Sequence, residues 1–431
     1  MISSTGWSRR SRRGSRISTR SSYMSIRTGR GNPAGPGQAR KNRDASGRIE
    51  RIPRLKKVEY FRHGIDEEEL DHLREVLGSL FITTGRAVYE FENDFARYLD
   101  LPHTVAVTSC TAAMQLALLA GGVKPGDEVI TSTMTFIGTP NAALMAGATP
   151  VLADIDRGTG NIDPAAVEAA VTERTRAVIP VHLYGQMCDM DALRAVADRH
   201  GLFIVEDAAH SIEAKWNGKA PGHYGEFAAF SFYATKNITS GEGGSISCHD
   251  RKQYELLSML RLHGFNQLAA DRYTSNYEKY DIGMFGWKYN MDSIHAAILI
   301  EQLKKIEAYG ARRKKIFERY TEAFSAMDGI ELHTTRPQAE HAYHLLTILV
   351  DPQRRDAVMN GLQERGIGVS INFVPVHRMT YYRERFGYRD GMFPVAEEIG
   401  ARTISLPLYP KLTDEEVEYV IESVRETVEP A

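Results

Sequence analysis

The chain has 431 residues, 42% of them hydrophobic, which is enough to build more than one core. Its net charge of -2 conceals an asymmetry: residues 1–57 hold 16 Lys/Arg and 2 Asp/Glu, leaving 37 and 53 for the remainder. The acidic body argues against nucleic acid as a partner, and Cys110, Cys188 and Cys248, with neither paired nor metal-ligand spacing, fit free thiols in a reducing cytoplasm.

Residues 1–56 are rich in Ser, Arg and Gly and lack apolar periodicity, so they bury too little surface to offset the cost of ordering and are expected to be a disordered basic tail. The tail reads as an extension without function, as an arm for acidic surfaces, or as an organelle transit peptide. The first reading is preferred, because an Arg-rich tail with so little aromatic interleaving, Trp7 and Tyr23 alone, carries little specificity and no clean amphipathic segment is present. No apolar stretch of the secretory kind follows the basic start. Residues 105–123, the most apolar long segment, are interrupted by Thr108, Ser109, Thr111 and Gln115, so no membrane span is expected.

Seven short apolar runs then follow, at 104–109, 128–133, 149–155, 175–182, 202–208, 227–232 and 244–248. Gaps among the first five carry helical periodicity, as at 111–120, 164–171 and 190–199. Strand-helix alternation predicts an α/β fold with a mostly parallel sheet of seven strands and helices on both faces, and such sheets collect ligands at the carboxyl ends of their strands. The pattern predicts a long helix from Ser293 to about Met327, strands at 344–350 and 368–373, and a last helix opened by the capping box Thr413-Asp414-Glu415-Glu416. The expected organisation is a large domain over 57–310 and a smaller α+β domain over 311–431.

Two charged groups stand where such a sheet holds ligands. Asp207 ends the fifth strand in Val-Glu-Asp-Ala-Ala-His, and Lys236 follows the sixth, just before the glycine turn 241–244. An amine and a carboxylate so placed are the pair that pyridoxal phosphate requires: the lysine forms an imine with the aldehyde, and the aspartate keeps the pyridine nitrogen protonated. Separately, each has a plainer reading, a solvated loop lysine and a helix-capping aspartate. Glu206, on the opposite face by strand alternation, is read as structural. Ser109, Cys110, Thr111 and Ala112 open a helix directly after a strand, and with Ser231 they offer hydroxyls and backbone N–H groups to a phosphate, although such a start also serves as an ordinary N-cap. Walker-type and dinucleotide glycine patterns are absent from the sequence. His341 and His344 lack the further ligands of a zinc set and are read as packed or solvated.

The segments 206–210 and 231–244 resemble the DegT/StrS family of nucleotide-sugar aminotransferases, and further similar blocks extend the likeness from about residue 57 to the C-terminus. The resemblance implies an aspartate-aminotransferase-like, fold type I enzyme. Its pyridoxal 5'-phosphate is linked to Lys236 and paired with Asp207, Phe136 and Ala209 lie on the ring faces, and His210 sits at the phenolic oxygen. Cys110 stands where the family usually has glycine. The resemblance also implies a homodimer in which Lys288 and Asn290 reach the neighbouring subunit's site, and it points to His377 as a substrate contact in the cleft. The implied reaction moves an amino group from an amino acid, expected to be glutamate, to a keto-sugar nucleotide. Lys288-Tyr289-Asn290 is similar to the aminotransferases that make 4-amino-arabinose nucleotides. Rival readings are a dehydratase using pyridoxamine phosphate, whose relatives have histidine in place of the anchoring lysine, and a non-catalytic regulatory protein on the same fold.

Overall fold

The computed structural model describes residues 57–265 and 281–428. The basic tail lies outside the described residues. In chain order the elements are α1 (Glu67–Leu77), α2 (Arg86–Tyr98), β1 (His103–Val107), α3 (Cys110–Ala120), β2 (Glu128–Ser132), α4 (Gly138–Met145), β3 (Thr149–Ala153), α5 (Pro164–Ala170), β4 (Thr175–Ile179), α6 (Met190–His200), β5 (Phe203–Asp207), β6 (Lys215–Trp216), β7 (Phe227–Ser231), β8 (Gly244–Cys248) and α7 (Arg251–Leu260). There follow α8 (Ser293–Ser325), β9 (Glu331–Leu332), β10 (Ala339–Glu340), β11 (Leu346–Leu349), α9 (Arg355–Glu364), α10 (Thr380–Phe386), α11 (Pro394–Arg402), β12 (Thr403–Leu406) and α12 (Asp414–Val428).

All seven predicted strands of the first part join one sheet in the order β1-β8-β7-β5-β4-β2-β3. β8 runs antiparallel to β1 and β7, and the other pairings are parallel. Strand alternation sends Val105, Val107, Phe227 and Ala229 into one apolar cluster with α3 and α7. It sends Ala106, Ala228 and Phe230 into a second cluster with α2 and α8. Because both faces are covered, the strands are nearly continuous apolar runs.

The capping box is present at α12: the Glu416 backbone N–H donates to Thr413 Oγ1 at 3.1 Å, and the Thr413 N–H donates to Glu416 Oε2 at 2.9 Å. Val417, Val420, Ile421 and Val424 then pack with Ile316, Tyr320 and Phe324 of α8 and with the sheet β12-β11-β9. The segment 368–373 is not a strand: Ser370 forms an isolated bridge to Ser405, and the Gly368 N–H donates to the Val58 carbonyl at 2.8 Å. Position 310, the expected domain boundary, falls inside the unbroken helix α8. Among the described residues, no helix is long and apolar enough to cross a membrane.

Candidate active site

A cavity of about 540 Å³ opens at the carboxyl ends of β1, β2, β5 and β7 and is closed from the other side by Ser370, Asn372, Phe373 and His344. Asp207, Ala209 and His210 reach it from the end of β5, and Ser231 and Lys236 from the end of β7. Cys110 and Thr111 come from the first turn of α3, and Phe136 from the turn into α4. Strand alternation separates Glu206 from this group. Its carboxylate is buried on the far side, where it accepts backbone N–H bonds from Gly222, Tyr224 and Gly225 and lies 2.9 Å from His182 Nε2.

Asp207 is held by three groups. Thr139 Oγ1 donates to Oδ2 at 2.7 Å, the Ala209 N–H donates to Oδ1 at 3.1 Å, and Cys110 Sγ lies 3.9 Å from Oδ1. Burial pushes this carboxyl above its ordinary range, while the Thr139 and Ala209 bonds and the charge of Lys236 oppose that shift. Burial lowers Lys236 to about 8 against the opposing pull of Asp207, so an appreciable fraction of this amine is neutral near physiological pH. The Cys110 thiol is held well above its usual value, first by burial and then by Asp207, which makes it a neutral neighbour and not a thiolate.

The loop carrying Lys236 is tied on each side. Phe232 N–H donates to the Gly243 carbonyl at 2.9 Å, and Gly241 and Gly243 take φ of 88° and 146°, which side-chain-bearing residues rarely adopt. Next to the lysine, Arg313 Nη2 on α8 donates to the Asn237 carbonyl at 2.8 Å. A Cβ on Gly244 would lie 2.4 Å from the Ser109 carbonyl carbon, so glycine there lets the start of β8 press against the turn into α3. A Cβ on Gly138 would lie 2.7 Å from the Thr111 hydroxyl, so glycine there preserves that hydroxyl's access to the cavity.

Nine of the thirteen site residues expected from the sequence, Ser109 among them, come together in this cavity. The other four do not. Ala112 is buried in α3, and its N–H donates to Ser109 Oγ at 3.1 Å, so this amide is committed to an ordinary N-cap. His377 is fully buried between Thr133 Oγ1 at 2.8 Å and Glu397 Oε1 at 3.1 Å. This corrects its assignment as a cleft residue, because the proline turn folds inward to satisfy both ring nitrogens. Lys288 and Asn290 lie outside the cavity, 2.5 Å apart at Nζ and Oδ1, with Asn290 Nδ2 donating to Thr84 Oγ1 at 2.6 Å. Phe136 is 61% exposed, which rules out plain core packing.

Thr139 and His344 are among the cavity residues that were not anticipated. Thr139 has no local signal, since its role depends on α4 bringing one hydroxyl to the end of β5. His344 was read as a packed or solvated histidine, and its burial agrees with packing, yet it lines the cleft with its ring 4.3 Å from that of His210.

The residues present fit pyridoxal phosphate: a half-buried amine with lowered basicity, a buried carboxylate, an exposed aromatic ring and hydroxyls beside a helix start share one cavity. The DegT/DnrJ/EryC1/StrS aminotransferase family model matches residues 63–425. The chain is 45% identical over 373 residues to the spore coat polysaccharide biosynthesis protein SpsC of Bacillus subtilis, covering 85% of this chain and 96% of that protein. Among solved structures it is similar to the PLP form of a Streptococcus pneumoniae protein designated a sugar aminotransferase, with TM-score 0.82, 31% identity and coverage of 86% and 99%. It is also similar to PseC of Helicobacter pylori, an aminotransferase involved in the biosynthesis of pseudoaminic acid, with TM-score 0.81, 26% identity and coverage of 86% and 99%. A family match over most of the chain, joined to a cleft that presents the amine and the carboxylate together, places this protein in the DegT/DnrJ/EryC1/StrS aminotransferase family as a pyridoxal-phosphate-dependent aminotransferase.

Proposed function

We propose that this enzyme transfers an amino group from an amino acid, glutamate, to a keto-sugar carried on a nucleotide, supplying an amino sugar for polysaccharide synthesis in the cytoplasm, and that it works as a homodimer with shared sites. The observation that carries the reading is the pair of half-buried Lys236 and buried Asp207 in one cleft, supported by relatives named for sugar amination and coat polysaccharide synthesis. When bound, the cofactor supplies the electron sink that lets an amino group leave one carbon and join another.

Lys236 anchors the cofactor. Its Nζ would also hold and move the proton at the substrate carbon that bears the nitrogen, a task suited to an amine lowered to about 8. Asp207 holds the ring nitrogen in its protonated form, and a cation beside it draws its own carboxyl back toward ionisation. Thr111 and Ser231 would hold the phosphate, Phe136 and Ala209 the ring, and His210 the phenolic oxygen. Lys288 and Asn290 serve the partner's site. The presence of lysine at 236 favours transamination over the dehydratase reading, in which histidine holds that place.

The test uses the enzyme loaded with pyridoxal phosphate. Glutamate alone is expected to abolish the lysine-linked absorbance band, and a keto-sugar nucleotide is then expected to restore it with release of an amino sugar. A band that glutamate and other amino acids leave unchanged would sink the transaminase reading. Discharge by simple keto acids but by no keto-sugar nucleotide would sink the sugar reading alone.

A further inference from the structure

Behind the cleft lies a buried polar group that the roles above do not use. Asn237, the residue after Lys236, directs its amide nitrogen to both Glu213 carboxylate oxygens at 2.9 and 2.8 Å and to the Ala342 carbonyl at 2.9 Å. Its oxygen lies 2.9 Å from His344 Nδ1. The reverse orientation of the amide would set Oδ1 against the Ala342 carbonyl, which has no proton to donate, and against the Glu213 carboxyl, which burial raises and the charge of Arg313 draws back toward ionisation. Asn237 Oδ1 is therefore the acceptor and His344 Nδ1 carries the hydrogen. Arg313, 3.8 Å from Glu213, supports the carboxylate and holds the Asn237 backbone through its carbonyl.

His344 is kept neutral well below its ordinary titration range, first by burial and then by His210, Lys236 and Arg313. A neutral imidazole that donates through Nδ1 has a bare lone pair on Nε2. Among the described residues the hydrogen bond of this ring is made at Nδ1, and the ring lines the cleft. The neighbouring His210 has the opposite assignment: its Nδ1 accepts the Tyr184 N–H at 3.3 Å, so its Nε2 carries the hydrogen. Two adjacent neutral imidazoles, tilted by 34°, thus offer one donor and one acceptor.

We propose that His344 is a specificity-determining residue whose Nε2 accepts a hydrogen bond from a hydroxyl of the sugar substrate, with Asn237 and Glu213 as positioning residues that impose this tautomer. The assignment rests on the sugar-nucleotide reading above. A hydroxyl suits the place better than the ammonium of an amino-acid donor, because the cationic groups Lys236 and Arg313 disfavour a further positive charge there.

The experiment follows the two half-reactions separately on the holoenzyme, by the absorbance change of a single turnover with glutamate and then with a keto-sugar nucleotide. His344→Leu is expected to lower kcat/KM for the sugar half by about 10-fold, mainly through KM, the loss expected for one buried hydrogen bond. The glutamate half should stay within about two-fold. His344→Gln retains an acceptor oxygen and should recover part of the loss, which guards against a variant that merely folds badly. Asn237→Leu should reproduce the sugar-half defect, and the double variant should be no worse than either single one. Equal losses in both halves, a loss confined to glutamate, or additive single effects would overturn the assignment. If the wild-type enzyme reacts with glutamate but with no keto-sugar nucleotide, the substrate reading falls and takes this assignment with it; the other adverse outcomes leave that reading standing.

Discussion

At Lys236, burial and charge act in opposition. Desolvation favours the neutral amine, Asp207 favours the ammonium, and burial prevails, leaving the group at about 8. Lys236→Ala is expected to abolish the borohydride-sensitive absorbance band and to lower turnover by at least roughly 10²–10⁴-fold, the scale of a lost acid-base group. Ordinary turnover in that variant would end the assignment. Asp207→Asn should keep the lysine linkage and lose most of the rate, since an uncharged pyridine draws electrons poorly; near wild-type rates would show that another carboxylate serves. The direction at Lys236 also sets a pH dependence for the apoenzyme. The neutral amine is the nucleophile and its fraction grows with pH, so uptake of pyridoxal phosphate should accelerate through about pH 8 and level off above it. A rate falling across that interval would contradict the assignment. Of these groups, Lys236 and Asp207 were legible from their places after apolar strands. Thr139 was not, because nothing near it in the chain marks it as a partner of Asp207.

The elements act by bringing separate turns to one place. β5 and β7 are adjacent and parallel, with Asp207 in register with Ala229, so the aspartate and the lysine-bearing loop leave the sheet at the same edge. β8 closes the other side of β7, and Gly244 allows its first residue to approach Ser109 and Cys110. Gly244→Ala forces a Cβ into backbone with no flexible side chain to yield, a clash of the kind that costs about 1–3 kcal/mol. The variant should fold with a lowered melting temperature and lose pyridoxal phosphate more readily on dialysis, because the displaced turn carries Thr111. Unchanged cofactor retention would show that this turn does not cradle the phosphate. The seven strands were readable because each is an apolar run of strand length. Residues 368–373 misled because Ser370, Asn372 and Phe373 line the cleft and Val369 packs against the core beside β11 and β12, with an isolated bridge at Ser370 in place of a strand ladder.

For the whole molecule, removing residues 1–55 is expected to leave melting temperature, cofactor content and activity unchanged, since the composition of that segment offers little apolar surface to bury. A large fall in stability would refute this. The proposed shared site gives a sharper test. Lys288 and Asn290 lie outside their own chain's cavity, bonded to each other and to Thr84. If they complete the neighbouring site, Lys236→Ala and Lys288→Ala chains, each inactive alone, should regain activity when exchanged into heterodimers carrying one intact site. Verified heterodimers without recovered activity would remove Lys288 from the site and leave Lys236 and Asp207 in place.

The sequence by itself determined the strand-helix alternation, the parallel sheet, the capped last helix and the lysine-aspartate pair. Each depends on local periodicity or on a residue's distance from a strand end. The tertiary structure alone decided which histidine meets the cleft. His377 in its proline turn and His344 before β11 look equally available in the chain, yet packing buries the first between Thr133 and Glu397 and brings the second against His210. It also decided that Asn237, Glu213 and Arg313 meet behind Lys236. Such contacts join residues up to about a hundred positions apart, and hydrogen-bond satisfaction in a buried space leaves no periodic trace along the chain.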